Sequence, residues 1–189
     1  MITADRSEQE STWCPSGRPD APEAVVLGVR SGQGGEVVYL ADPVPARDVL
    51  PLVPEGVEPT RVLRFASHCV SACLHRRGND CTLVERVAAT PADEDRNVPR
   101  CHLRAHCKWW AQVGVDGCRR CPAVATTVVE GDDLGALVAD PATTREQLDA
   151  WIAEKDANEA GEASEVQEAS EAHEADEPRP AATRSRSSA

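Results

Sequence analysis

Eight cysteines constrain this chain more than any other feature, because seven of them fall between Cys69 and Cys121 and the eighth, Cys14, stands near the start. In order they read Cys69-x3-Cys73-x7-Cys81, a spacer of nineteen residues, then Cys101-x5-Cys107-x10-Cys118-x2-Cys121. The opening run Met1 to Glu10 has no apolar core of the length a secretory signal needs, and it is polar and acidic from Asp5 on. That start predicts a cytoplasmic protein whose thiols stay reduced, so the pattern points to metal ligation and not to a disulfide framework. Seven cysteines are candidate cofactor ligands, and Cys14 joins them as a metal ligand because it completes two sets of four.

The chemistry open to such thiols takes three forms. Four or more cysteines can ligate an iron–sulfur cluster of the 4Fe-4S type, and Cys121-Pro122 echoes the Cys-Pro that closes ferredoxin motifs. Zinc can be held in one or two sites of four thiolates, with Cys69/Cys73 and Cys118/Cys121 as knuckle pairs and Cys14, Cys81, Cys101 and Cys107 left for another site. Only Cys118 and Cys121 have the x2 spacing of zinc ribbons, which ranks zinc second. Cys118-Arg-Arg-Cys121 as a redox-active dithiol ranks last, since no βαβ pattern surrounds it. His68, His75, His102 and His106 lie beside cysteines, but with enough thiols present they read as ordinary hydrogen-bonded or exposed histidines.

Charge supports a thiolate site without choosing its metal. The chain of 189 residues carries a formal charge of −12, yet from Arg61 to Cys121 eleven basic residues outnumber six acidic ones. Guanidinium groups near four thiolates on zinc, or around an oxidised cluster, offset a site charge of about −2. One Phe and one Tyr provide no aromatic platform for nucleic acid. The longest apolar runs, such as Ala24 to Val29, fall far short of the roughly 18–20 residues of a membrane span. There is no Ser-His-Asp order, no phosphate-binding glycine loop and no paired carboxylates in an apolar frame, so the residues do not support enzymatic activity by this chain alone.

Read in order, residues 1–12 form a polar terminus without periodicity, expected to be disordered. Ala24–Arg30 and Glu36–Ala41 are rich in Val and Leu and flank Ser31-Gly-Gln-Gly-Gly35, which predicts a β-hairpin. Ala46–Leu50 has room for a helical turn, and Arg61–Phe65 predicts a third short strand. Leu83, Val84, Val87 and Ala88 have helical spacing and place Cys81 at a helix start. A helix over 101–113 would put Leu103, Cys107 and Trp110 on one inward stripe, with Trp109 beside it as a shield and Gly114 as its stop. Val124–Val129 reads as a strand and residues 131–142 as a linker. Thr143 with Glu146 forms a capping box ahead of a short amphipathic helix over 143–157, striped by Leu148, Trp151 and Ile152. Residues 158–189 hold almost no large apolar side chain and read as a disordered acidic tail.

The run from Cys69 to Cys81, then Pro99-Arg-Cys101-His-Leu-Arg-Ala-His-Cys107-Lys-Trp-Trp-Ala-Gln112 and Gly117-Cys118-Arg-Arg-Cys121-Pro-Ala-Val124, resembles a group of small, uncharacterised bacterial cysteine-rich proteins of the metal- or iron–sulfur-binding kind. The resemblance extends from Cys14 through Val129 and stops before the acidic tail. It implies domain boundaries and neither a mechanism nor the identity of the metal.

The expectation is therefore an α+β, metal-stabilised, cysteine-rich domain over residues 13–130, with a β-hairpin packed on short helices. Its expected function is iron–sulfur or metal binding, as an electron carrier or as an accessory subunit of a redox enzyme or complex that would be its protein partner. A zinc-stabilised interaction adaptor without redox activity is the alternative.

Overall fold

The computed structural model describes residues 12–31, 36–92, 97–124, 127–128 and 130–175. The chain divides into two units, Met1–Asp149 and Ala150–Ala189.

The first unit is α+β. β2 (Val25–Ser31) and β3 (Glu36–Pro45) pair antiparallel where the Val- and Leu-rich runs predict a hairpin. β4 (Leu63–His68) lies along the other edge of β2, and β1 (Trp13–Cys14) pairs with β4, so the sheet order is β1-β4-β2-β3. A bulge between Val26 and Gly28 interrupts both ladders of β2. Between β3 and β4 the prolines allow only short turns, α1 (Ala46–Val49) and α2 (Pro59–Val62).

Alternation along β4 divides its side chains between the two faces of the sheet. Leu63 and Phe65 join Ala24, Val26 and Ala46 in an apolar core roofed by Val49, Leu50 and Val53. Arg64 belongs to the opposite face and is wholly buried, although a strand arginine would ordinarily be solvated.

A two-residue ribbon, β5 (Arg76–Arg77) with β6 (Asp80–Cys81), leads into α3 (Thr82–Ala89). Cys81 is the residue that precedes α3, as its sequence predicts. The single helix expected over 101–113 is instead a short 3-10 turn, Arg104–His106, followed by α4 (Lys108–Val113). Starting the helix at Lys108 shifts its phase, so Trp109 is buried at 1% exposure and Trp110 stands 37% exposed. The inward stripe through Trp110 is thereby corrected. Gly114, with φ of 61°, ends α4 and turns the chain into α5 (Val115–Arg120). Val84 and Val87 of α3 and Trp109 of α4 form the interior of this helical layer.

The region expected as a linker carries α6 (Asp133–Ala139), capped by the Asp132 carboxylate, which accepts from the Gly135 amide at 2.8 Å. Val138 of α6 is buried, and its carbonyl accepts from the buried Arg86 at 2.8 Å, so this stretch belongs to the first unit. Val124, Thr127 and Val128 are not in a strand, and Ala125, Thr126 and Val129 of the expected strand lie outside the described residues. The capping box sits one residue later than expected. Thr144 Oγ1 accepts from the Gln147 amide at 3.2 Å and Gln147 Oε1 accepts from the Thr144 amide at 2.8 Å. Thr143 is buried instead, its carbonyl taken by Arg86.

The last helix, α7, runs from Arg145 to Ala175 and so continues past residue 157 into the stretch read as disordered. Its Ala, Glu, Gln and Lys content explains why helix wins over coil without an apolar face. Its first turn belongs to the first unit, where Leu148 is wholly buried, and the remainder to the second. Residues 1–11 and 176–189 of the expected disordered ends lie outside the described residues. No described helix is long and apolar enough to cross a membrane.

Candidate metal centre

All eight cysteines are free thiols. By which thiols feel one another's charge they fall into two loose neighbourhoods of four, neither with ion-binding geometry among the described residues; the zinc partition expected from spacing put Cys14 and Cys81 with Cys101 and Cys107.

The first four are Cys14, Cys69, Cys73 and Cys81. Pairing of β1 with β4 puts Cys14 opposite Ser67, and the Cys69 amide donates to the Thr12 carbonyl at 2.8 Å, which holds Cys69 beside the same edge. The turn from Val70 to Arg76 presents Cys73, and the β5–β6 ribbon sets Cys81 opposite Arg76. All four line one partly open cavity of about 250 Å³, with Arg76, Asp80 and Lys108 also in its wall. Burial pushes the Cys14 thiol up to about 12, and Cys81, Cys69 and Cys73 add to that rise because a second negative charge there would be repelled. Cys81 is likewise raised by burial, with Cys73 and Cys69 contributing.

The second four are Cys101, Cys107, Cys118 and Cys121. Cys118 and Cys121 lie one helical turn apart at the end of α5, and Cys107 precedes α4. Three of these thiols are buried and Cys101 is half-buried. Burial pushes Cys107 up to about 11 and raises Cys101 and Cys118, and each of the three also feels Cys121.

Sequence spacing alone misses the cations and the sheet row that close this second site. Tyr39 of β3, Gly28 of β2 and Arg64 of β4 are direct neighbours across the three strands. With no side chain on Gly28, the two outer residues of the row both reach Cys121: Tyr39 Oη lies 3.7 Å and Arg64 Nη2 3.5 Å from its Sγ. Burial, and then Cys121, raise the Tyr39 phenol and keep it protonated as a donor. Arg64 also donates to the Val124 carbonyl, as does Arg30 from β2. Arg104 faces Cys118 and lowers its pKa, opposing burial, while its guanidinium carbon sits 5.3 Å from the centre of the Trp110 ring. The signal available in sequence was the Arg at the centre of an otherwise apolar run, Val62 to Ala66.

Backbone amides repeat a common arrangement at four cysteines. The amide of Ser16 faces the Cys14 sulfur, those of Val84 and Leu83 face Cys81, those of Leu103 and Arg104 face Cys101, and those of Trp110 and Trp109 face Cys107. Each lowers the thiol pKa against the larger effect of burial, and at Cys81 and Cys107 none closes a full helix-cap hydrogen bond. Donors two and three residues beyond a cysteine favour an anionic sulfur, but at all four burial outweighs them and leaves the neutral thiol preferred.

No family model, curated protein or solved structure matches the chain.

The two fours are joined through the backbone. Trp13, next to Cys14, bridges in parallel to Cys107, and Gln112 of α4 holds Cys81 from both sides. Its Oε1 accepts from the Cys81 amide at 2.8 Å and its Nε2 donates to the Cys81 carbonyl at 3.2 Å. Among the described residues no three His, Cys, Asp or Glu side chains stand in an arrangement that could hold an ion as they are. The thiols are near enough to feel one another's charge and would have to close inward on a common centre. Two of the neighbouring histidines are otherwise engaged: His75 Nδ1 faces Arg86 Nη2 at 3.0 Å, and the His68 ring packs on the edge of Trp13 with centroids 4.6 Å apart.

Proposed function

We propose that this chain is an iron–sulfur protein whose two cysteine fours, Cys14/Cys69/Cys73/Cys81 and Cys101/Cys107/Cys118/Cys121, each hold a cluster of the 4Fe-4S type. It would serve as an electron carrier or as an accessory subunit of a redox enzyme. The observation that carries this reading is the division of eight thiols into two fours, since four thiolates are the ligand number of both a four-iron cluster and a structural zinc.

The cluster ranks above zinc on the sequence, because only Cys118 and Cys121 have the x2 spacing of zinc ribbons. The first four share the wall of a partly open cavity of about 250 Å³ with residues 16–19 and the β5–β6 ribbon, so a bound group there would be reached from solvent. At the second four, Arg64 and Tyr39 are directed at the Cys121 sulfur and Arg104 at Cys118; such donors would stabilise thiolates on either metal and, with a cluster bound, would tune its reduction potential. A bound cluster would supply one-electron chemistry. The chain's own residues would supply the thiolate ligands, the donors to sulfur and, through Trp109, exclusion of water from the second site.

Anaerobic purification followed by metal, acid-labile sulfide and visible absorption measurements tests this. The expected result is a brown protein with about eight irons per chain whose absorption bleaches with dithionite. A colourless protein with stoichiometric zinc would reject the cluster and leave a zinc-stabilised interaction adaptor.

A further inference from the structure

A second and larger cavity, about 380 Å³, lies between α3, α5 and α6. That volume falls within the range of small-molecule sites. Its wall is mainly aliphatic, with Leu83 and Val87 from α3 and Leu134, Val138 and Ala139 from α6. Against this surface stand two consecutive arginines at the end of α5, Arg119 and Arg120.

The two arginines differ in how they are satisfied. Arg120 donates to the Thr90 carbonyl at 2.6 Å and to the Asp116 carbonyl at 3.3 Å, and its guanidinium lies 3.8 Å from the Asp116 carboxylate. For Arg119 no described residue supplies a hydrogen bond or an opposite charge, and its Nε is closed off from solvent without a partner. The cation that faces the nearby Cys118 is Arg104, which leaves Arg119 to the cavity. Among the described residues Asp132 is the acid in that wall, and its carboxylate is engaged as the cap of α6. Among the described residues this half-buried guanidinium beside an aliphatic chamber has no anion, and its planar fork suits a carboxylate.

We propose that this cavity binds a small organic anion, a carboxylate on a hydrocarbon body, with Arg119 pairing the carboxylate and the α3 and α6 side chains enclosing the hydrocarbon. Nothing in this depends on which metal the thiols hold. The chamber shares Ser16, His75 and Leu83 with the first four-thiol cavity, so its ligand would sit one side-chain layer from that site.

Calorimetric titration of the full-length protein as purified, with its metal content measured on the same sample, tests the proposal using hexanoate, hexan-1-ol and inorganic phosphate as probes. Saturable hexanoate binding is expected, weakened roughly tenfold or more in Arg119→Gln by loss of a charge-assisted hydrogen bond, with hexan-1-ol similarly weak on the unaltered chain. Ala139→Phe, which fills the chamber from the end of α6 and leaves Arg119 in place, should abolish binding, and it serves as the deciding variant if Arg119→Gln melts abnormally. Absence of saturable hexanoate binding, or binding unchanged by both substitutions, overturns the proposal. Binding of phosphate without hexanoate overturns it in favour of an inorganic-anion site. Because metal content is followed in parallel, loss of the metal reading and loss of this one are separately visible.

Discussion

Arg64 Nη2 lies 3.5 Å from Cys121 Sγ, and both side chains are buried. A guanidinium enclosed with a thiol has no full counter-charge until that thiol ionises. Arg64→Met should therefore lower unfolding free energy of the metal-loaded protein by about 3 kcal/mol or more, as expected when one partner of a buried pair is removed. Arg64→Lys should fall between, because a single ammonium cannot serve the Val124 carbonyl and the Cys121 sulfur together. Denaturant titrations of the three proteins decide it, and equal midpoints would refute a role for the pair.

Division of the thiols into two fours has a quantitative signature. Cys73→Ser and Cys107→Ser should each remove about half of the bound metal, and the double variant nearly all of it. Loss of all metal from either single variant would mean that the eight ligate one shared centre. Retention of all metal in Cys107→Ser would remove that residue from the ligand set.

Two close approaches by glycine should separate the sites through the sheet. A Cβ on Gly17 would stand 2.2 Å from the Ser67 amide nitrogen, and one on Gly28 would stand 2.5 Å from the Val38 carbonyl oxygen. Backbone atoms cannot yield cheaply, so both alanine variants should be destabilised, by about 1–3 kcal/mol. Gly17→Ala displaces the turn behind Cys14 and should reduce metal at the first four. Gly28→Ala parts β2 from β3, carries Tyr39 off Cys121 and should alter the spectrum or potential of the second. Identical metal content and spectra in both variants would contradict this.

The Glu23 carboxylate accepts from the His68 amide at 2.8 Å, and that bond holds its pKa below the ordinary 4.5. The folded pKa is lower than the unfolded one, so the stabilisation is fully present above the unfolded value and is lost as pH falls through the folded value. Glu23→Gln should flatten the stability curve of the first unit below about pH 5 while leaving its slope near neutrality unchanged. Parallel curves over the acid range would show that the bond contributes nothing.

Much of the sheet was legible because Val-rich runs separated by glycine leave few options at Val25–Ser31 and Glu36–Pro45. The helix behind Cys81 was legible too, from the spacing of Leu83, Val84 and Val87. β1 was not, since two residues carry no period and its place depends on pairing with a strand more than fifty residues on. Arg64 was hidden for a related reason: alternation in a strand assigns an arginine to solvent unless a second layer covers that face. The phase of Trp109 and Trp110 turned on where α4 begins, which caps and turns decide and composition does not. α6 escaped notice because its glycine and acidic residues resemble a connector until Asp132 is seen closing on the Gly135 amide. Of the candidate site, the ligand type was legible and the partners of each thiol were not, because spacing cannot show which loops the sheet draws together.

The pairing of β1 with β4 also sets a timetable for a chain leaving the ribosome. Cys14 emerges roughly 3–13 s before Cys81 at about 5–20 residues per second, whereas Cys101 to Cys121 appear as one short stretch. Closing the longer loop costs about 1 kcal/mol more in chain entropy. On the proposed reading, a carboxyl-proximal centre would assemble as a local event while an amino-proximal one would await pairing of β1 with β4, so under metal scarcity half-loaded molecules should carry their cargo at the former.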